Sequence, residues 1–118
     1  MRLFGKKKRE FDPVAADELV LDQLRQLGTD LTKLRDARFY LYVRTEGDAR
    51  AAAEALRAEG YATVVEPSAT PRSEHPWLAL ASRDMVVDAD TIAEARRLFD
   101  GLADRYSGDY DGWEAAAG

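Results

Sequence analysis

The stretch Trp77-Leu78-Ala79-Leu80-Ala81-Ser82-Arg83 is a compact apolar run of the length typical of a β-strand. A helix opened by Asp88 and Asp90 is predicted after it, because apolar residues then recur in steps of three and four and share one helix face. Those residues are Ile92, Ala95, Phe99, Leu102 and Tyr106. Ser107-Gly108 is predicted to end the helix, and Asp109–Trp113 to form a short fourth strand or an extended end.

A further helix is predicted upstream, near the N-terminus. Asp12-Pro13 has the features of a helix start, because Asp can accept from free amides and Pro at the first position has no amide to lose. The helix is expected to run to about Leu27, with Gly28 after its end. Its apolar stripe consists of Ala16, Val20, Leu24 and Leu27, with Leu21 beside it. Leu31 and Leu34, in the connector that follows, are expected to pin it to the core.

The middle of the chain has the pattern of strand, helix, strand. Along Arg38–Arg44 side chains alternate with period two, and the expected inner residues are Phe39, Leu41 and Val43. Tyr40 and Tyr42 are then expected on the opposite face. Gly47–Gly60 is predicted to hold a helix and Tyr61–Glu66 a strand, followed by a polar loop before Trp77.

The resulting order after the N-terminal helix is β-α-β-β-α-β, which predicts an α+β, ferredoxin-like two-layer sandwich with two helices on one face of an antiparallel sheet. A chain of 118 residues suits one domain. We expect residues 12–114 to form that single domain and residues 1–11 to be a disordered basic leader. No apolar run approaches the roughly 18 residues of a membrane span, and no secretory h-region is evident, so a cytoplasmic protein is expected.

Charge and composition narrow the classes of partner. Residues 1–10 carry a net charge of +4 and the whole chain −5, which leaves −9 for residues 11–118. Such a body repels phosphate backbones, so direct nucleic-acid binding is not expected and a basic partner is favoured. The absence of cysteine excludes disulfides, thiolate catalysis and cysteine-ligated metals.

The sequence contains no recognisable catalytic motif. His75 is the only histidine, and a solvated position in the loop is its expected role. There is no GxSxG elbow and no glycine-rich phosphate loop, and Asp84, Asp88 and Asp90 lack the calcium-loop pattern. We therefore predict no catalytic, cofactor-binding or metal-ligating residue. An enzyme would have to depend on His75.

Aromatic residues suggest an alternative function. The candidates for an exposed aromatic face of the sheet are Tyr40, Tyr42, Trp77 and Trp113. On a ferredoxin-like sheet such a face could stack RNA bases, although the glycine-and-aromatic signature of the RNA recognition motif is missing. Two other interpretations remain open: the N-terminal helix covers these residues, or they anchor a protein interface.

The C-terminal segment Tyr110-Asp111-Gly112-Trp113, after the helix that ends Leu102–Tyr106, resembles the regulator of ribonuclease activity B family. The stretch Leu24–Asp30 is similar to that family's helix followed by a Gly-Ser-Asp turn, and Glu59-Gly60-Tyr61 to its Leu-Gly-Tyr turn. The resemblance covers roughly Glu18–Glu114.

The resemblance implies a bacterial cytoplasmic protein that binds an RNase E-type endoribonuclease and lowers its RNA cleavage by contact, without catalysis and without cofactors. The residues expected to contact that partner are Tyr40, Tyr42, Asp109, Tyr110, Asp111 and Trp113. A structural role is the alternative for the motif, with Gly112 serving a bend and Trp113 closing the core. The oligomeric state is left open.

Overall fold

The computed structural model describes residues 2–5, 13–70 and 72–117. Its elements in chain order are β1 (Arg2–Gly5), α1 (Pro13–Gln26), β2 (Arg35–Val43), α2 (Glu46–Ala58), β3 (Ala62–Pro67), β4 (Trp77–Met85), α3 (Ala89–Arg105) and β5 (Asp109–Ala116). The strands form one antiparallel sheet in the order β1-β5-β2-β4-β3. None of the helices in these residues is long and apolar enough to cross a lipid bilayer.

The three helices lie on one face of the sheet, here called the inner face, so the predicted two-layer α+β architecture is confirmed. Phe39 of β2 stacks on Phe99 of α3, and the indole of Trp113 in β5 donates to Asp17 of α1. The alanines of α2 and Leu56 join the same buried cluster. Small alanine side chains let this helix approach the sheet closely.

In the part of the chain that the structure describes, the sheet has five strands instead of the four predicted. Residues Arg2–Gly5, expected to be disordered, pair with β5 as an edge strand. Pairing gives the backbone groups along that edge of β5 a partner within the chain. The remainder of the predicted leader, Met1 and residues 6–11, lies outside the described residues, as does the predicted cap Asp12.

Both ends of α3 agree with the sequence prediction. The carboxylate of Asp88 accepts from the Thr91 amide at 2.8 Å, and the Thr91 hydroxyl accepts from the Asp88 amide at 3.0 Å, which forms a capping box. After the helix, Ser107 has a φ of +50°. A Cβ at Gly108 would lie 2.6 Å from the carbonyl oxygen of Tyr42, so only glycine lets β5 start this close to β2.

The core is built around four aromatic rings on the inner face. Phe99 stacks on Phe39 and on Tyr110, with centroid distances of 5.0 Å and 5.2 Å. Tyr61 meets both phenylalanines edge-on at 5.6 Å. These offset and edge-to-face arrangements are the ones that aromatic quadrupoles favour.

Two leucines expected in the core are exposed instead. Leu27 is 50% exposed and Leu34 67%. Leu27 lies just past the last residue of α1, where the helical period no longer sets its direction. Beyond Leu34, the connector is tied down by polar contacts: the buried Arg35 guanidinium donates to the carbonyl oxygens of Asp30 and Ala116, at 2.7 Å and 2.6 Å.

Candidate functional site: the outer face of the sheet

The face opposite the helices, here called the outer face, mixes tyrosine, aliphatic and charged side chains. Its members follow from strand alternation and register. They are Asp36, Arg38, Tyr40 and Tyr42 of β2, Ala62, Val64 and Glu66 of β3, Leu78, Leu80, Ser82 and Asp84 of β4, and Asp109, Asp111 and Glu114 of β5. The helix α1 packs on the inner face, so it does not cover the two tyrosines.

Tyr40, in the middle of this face, is hydrogen-bonded to a side chain of β5. Its hydroxyl donates to Oε1 of Glu114 at 2.8 Å. Burial, followed by this bond to a carboxylate, raises the pKa of Tyr40 to about 12. The phenol therefore stays neutral and donating at physiological pH.

Tyr42 is covered by an arginine from the loop between β3 and β4. The guanidinium carbon of Arg72 lies 3.5 Å from the centroid of the Tyr42 ring. Nη2 of Arg72 is 3.1 Å from a carboxylate oxygen of Asp111, and Nη1 is 3.6 Å from one of Asp109. A cation is thus held between an aromatic face and two carboxylates. Burial raises the pKa of Tyr42, with Arg72 opposing the shift.

The loop that supplies Arg72 is held mainly by polar contacts. The amide of Ser68 donates to the carbonyl oxygen of Pro76 at 2.8 Å. Nε2 of His75 lies 3.0 Å from the carbonyl oxygen of Ser107, so this nitrogen carries the proton and donates. His75 lies partly exposed in the loop, and this bond joins the loop to Ser107, just past the end of α3.

The motif Tyr110-Asp111-Gly112-Trp113 forms a β-bulge. Across β2, Tyr110 is opposite Leu41 and Trp113 opposite Phe39, so three steps on β5 match two on β2. Gly112 has a φ of +99°, which glycine adopts without strain. The extra residue turns both aromatic side chains to the inner face.

Tyr110 and Trp113 are consequently buried in the core, and Trp113 has no exposed surface. The idea of an exposed aromatic face is therefore wrong for Trp113. It is also wrong for Trp77, which pairs with Val43 and packs against the core. Of the six residues expected to contact a partner, Tyr40, Tyr42, Asp109 and Asp111 come together on the outer face.

A polar cluster beneath the sheet was missed by the sequence analysis. Asp17 of α1 accepts from the indole Nε1 of Trp113 at 2.9 Å and from Nη1 of Arg96 at 2.6 Å. Burial raises the pKa of Asp17, and the two hydrogen bonds oppose the shift. Asp17 lies two turns before Leu24 and therefore on the same face of α1 as the apolar stripe. A carboxylate among apolar positions was the available signal, but only the fold reveals its partners.

A cleft lies beside β4 and α3. The Arg83 guanidinium stands 5.1 Å from the centroid of the Tyr61 ring, and Glu59 and Glu94 are also in the lining. The Thr91 hydroxyl in this cleft is engaged in the cap of α3. In the part of the chain that the structure describes, no group of three or more His, Asp or Glu residues could hold a metal ion.

Comparison with known proteins adds to this geometry. A model of the regulator of ribonuclease activity B family matches residues 15–115. The chain belongs to this family. The match runs from the first turn of α1 to the penultimate residue of β5, so it includes both the outer face and the Tyr110–Trp113 bulge. The resemblance seen in the sequence is confirmed. A search of curated proteins finds no match to the chain. The family is one of regulators, which connects the protein to control of ribonuclease activity.

Proposed function

We propose that this protein binds an RNase E-type endoribonuclease in the bacterial cytoplasm and lowers its RNA cleavage by direct contact, without catalysis of its own. The observation that carries the proposal is membership of a family of ribonuclease regulators. The net charge of −9 over residues 11–118 supports a partner with a basic surface.

The outer face is our proposed contact surface. The helices lie on the opposite side, and Val64 on this face is 51% exposed, whereas Tyr42 is 9% exposed beneath Arg72. Tyr40, Tyr42, Asp109 and Asp111 would contribute directly. Tyr110 and Trp113 would act from beneath by shaping β5, in keeping with their burial.

We also infer that the fold is a ferredoxin-like sandwich with one added edge strand. Support comes from the four strands after α1, which alternate with α2 and α3 in the order β-α-β-β-α-β. Their spatial order, β5-β2-β4-β3, is that of two interleaved split βαβ units.

Binding of RNA by the same face is the less favoured function. Base stacking needs accessible rings and a basic surround. Here the Tyr42 ring is covered by Arg72 and flanked by two carboxylates, while Tyr40 is bonded to Glu114. Phosphates would approach these acids at an electrostatic cost.

The test measures binding and RNA cleavage in one mixture of this protein with the host's RNase E-type enzyme, at several salt concentrations. Saturable binding that weakens with salt, together with slower cleavage, is the expected result. Absence of binding at low salt would refute the proposed function. Binding of this protein to RNA alone, with no contact to the enzyme, would favour the RNA-binding alternative.

A matched pair of charge reversals locates the surface. Glu66→Lys changes the outer face, whereas Glu54→Lys changes the exposed side of α2. We expect the first to weaken binding about fivefold or more and the second to leave it within about twofold. Equal effects of the two variants would remove the outer face from the proposal.

A further inference from the structure

The contact between Arg72 and the outer face has the form of a ligand in a receptor. We call Tyr42, Asp109 and Asp111 the arginine site. Tyr42 and Asp109 are opposite each other in register on two neighbouring strands, and Asp111 lies two residues farther along β5. The site is therefore built by two paired strands, with Asp111 placed by the bulge of β5, whereas its occupant comes from a loop.

The receptor and its occupant differ in how firmly they are held. Tyr42 is on an interior strand of the sheet and is only 9% exposed. The described loop residues on either side of Arg72 are outside the buried cluster, and polar contacts of Ser68 and His75 fasten the loop. Segments with few buried apolar contacts open at low free-energy cost.

The chemistry of the arginine site selects a guanidinium. The ring face accepts a flat cation by stacking, and the two carboxylates accept its N–H groups from the side. Two carboxylates against one guanidinium leave an excess negative charge when Arg72 is in place. A lysine ammonium would satisfy the charge but could not stack in the same way.

We infer that the arginine site receives an arginine side chain from an arginine-bearing segment of the partner protein, and that Arg72 occupies the site in the free protein as an internal competitor. The inference deepens the proposed function, since the partner would be the ribonuclease. Binding requires the loop to release Arg72, and the apparent affinity is reduced by the fraction of molecules in which the site is closed.

The occupant is a protein segment because the site offers only acceptors and an aromatic face. A nucleic-acid phosphate would meet Asp109 and Asp111 as like charges. The acidic body around the site attracts cationic segments in general. The arginine site would supply the preference for arginine over lysine.

The test uses two blocked peptides, Gly-Arg-Gly-Arg-Gly-Arg-Gly and its lysine counterpart, titrated into the full chain and followed by backbone amide NMR shifts. Arg72→Ala should bind the arginine peptide roughly tenfold more tightly than the unchanged protein does. The shifts should centre on Tyr42, Asp109 and Asp111. The lysine peptide should bind Arg72→Ala about fivefold more weakly than the arginine peptide does.

Controls separate a specific site from general charge attraction. Arg50→Ala removes an exposed arginine paired within α2 and should leave peptide affinity unchanged. Adding Asp111→Asn to Arg72→Ala should remove most of the gain. Arg72→Lys keeps the charge and serves as the second variant if Arg72→Ala fails to fold; it should bind the arginine peptide more tightly than the unchanged protein does.

Equal affinities for the arginine and lysine peptides, or no gain from either Arg72 variant, would overturn the arginine site. No ribonuclease is present in this experiment. Failure of the arginine site is therefore distinguishable from failure of the proposed function, which the cleavage assay addresses.

Discussion

The two faces of this sheet use the same types of residue for different purposes. On the inner face, an aspartate, an arginine and a tryptophan form a cluster between helix and strand, with Asp17 and Arg96 only 15% and 16% exposed. On the outer face, an arginine, a tyrosine and two aspartates meet, with Asp109 50%, Arg72 26% and Asp111 13% exposed. The inner cluster joins α1, α3 and β5, whereas the outer cluster joins the β3–β4 loop to strands that are already paired with each other.

The comparison shows why an ion pair that joins packed elements and one that fastens a surface loop have different roles. Loss of the inner cluster leaves polar groups without water, so it should cost stability. The outer cluster attaches a loop to strands that are already paired with each other, so its loss should cost less stability than loss of the inner cluster. Stability is thus concentrated on the inner face, and the outer face is free to be used for recognition.

The largest effect is expected from Trp113→Ala. It empties the space of a fully buried indole and leaves Asp17 without that donor, so we expect a loss of about 3–5 kcal/mol in the free energy of unfolding. Val64→Ala on the outer face should change it by less than about 0.5 kcal/mol. Urea denaturation of both variants checks the contrast, and similar losses would contradict the division between the faces.

Asp17 comes next. Asp17→Ala leaves the Trp113 indole and Arg96 unpartnered by a carboxylate, and should cost about 1–3 kcal/mol. Asp17→Asn keeps an acceptor for the indole and should cost less than Asp17→Ala. An equal cost would mean that the charge, and not the indole bond, dominates.

The pH dependence of Asp17 sharpens this prediction. Its folded pKa is raised above the ordinary value of 3.8, so the folded protein keeps a proton that the unfolded chain has released. That stabilisation is complete below the ordinary value and is lost as the pH rises through the folded pKa. The advantage of the unchanged protein over Asp17→Asn should therefore be larger at about pH 3 than at about pH 6.

Local pattern predicted most of the elements, because their signals are local. The cap at Asp88, the alternation along β2 and the stop at Ser107-Gly108 depend on neighbours within a few residues. The bulge could have been suspected from Gly112, but its consequence depends on the register against β2. Asp17 is visible in the sequence as a carboxylate within the apolar stripe of α1, but no local pattern predicts that it meets Trp113 or that Arg72 meets Tyr42.

Gly112→Ala tests whether the bulge builds the inner face. A φ of +99° is strained for alanine, so we expect a loss of about 1–3 kcal/mol. The control is Gly101→Ala in α3, where an added Cβ meets nothing within 4 Å. That variant should gain about 0.5–1 kcal/mol from helix propensity. A neutral Gly112→Ala would mean that the bulge relaxes without strain.

The smallest effect is expected at Tyr40 on the outer face. Its folded pKa of about 12 exceeds the ordinary value of 10.0, so its contribution to stability is present below pH 10 and is lost as the pH rises through 10 towards 12. Tyr40→Phe should lose less than about 1 kcal/mol at neutral pH and should weaken the alkaline decline. Denaturation midpoints at about pH 9 and pH 11 measure both.

Glu114→Gln distinguishes the causes of the Tyr40 shift. Burial is the larger cause and the bond to the Glu114 carboxylate the second, so most of the shift should persist when the carboxylate becomes an amide. Phenolate absorbance, read as the difference between Glu114→Gln and the double variant with Tyr40→Phe, reports the pKa directly. A return of the Tyr40 pKa to its ordinary value would show that the Glu114 carboxylate, and not burial, sets the shift. Tyr40 would then be more accessible to water than its packing implies.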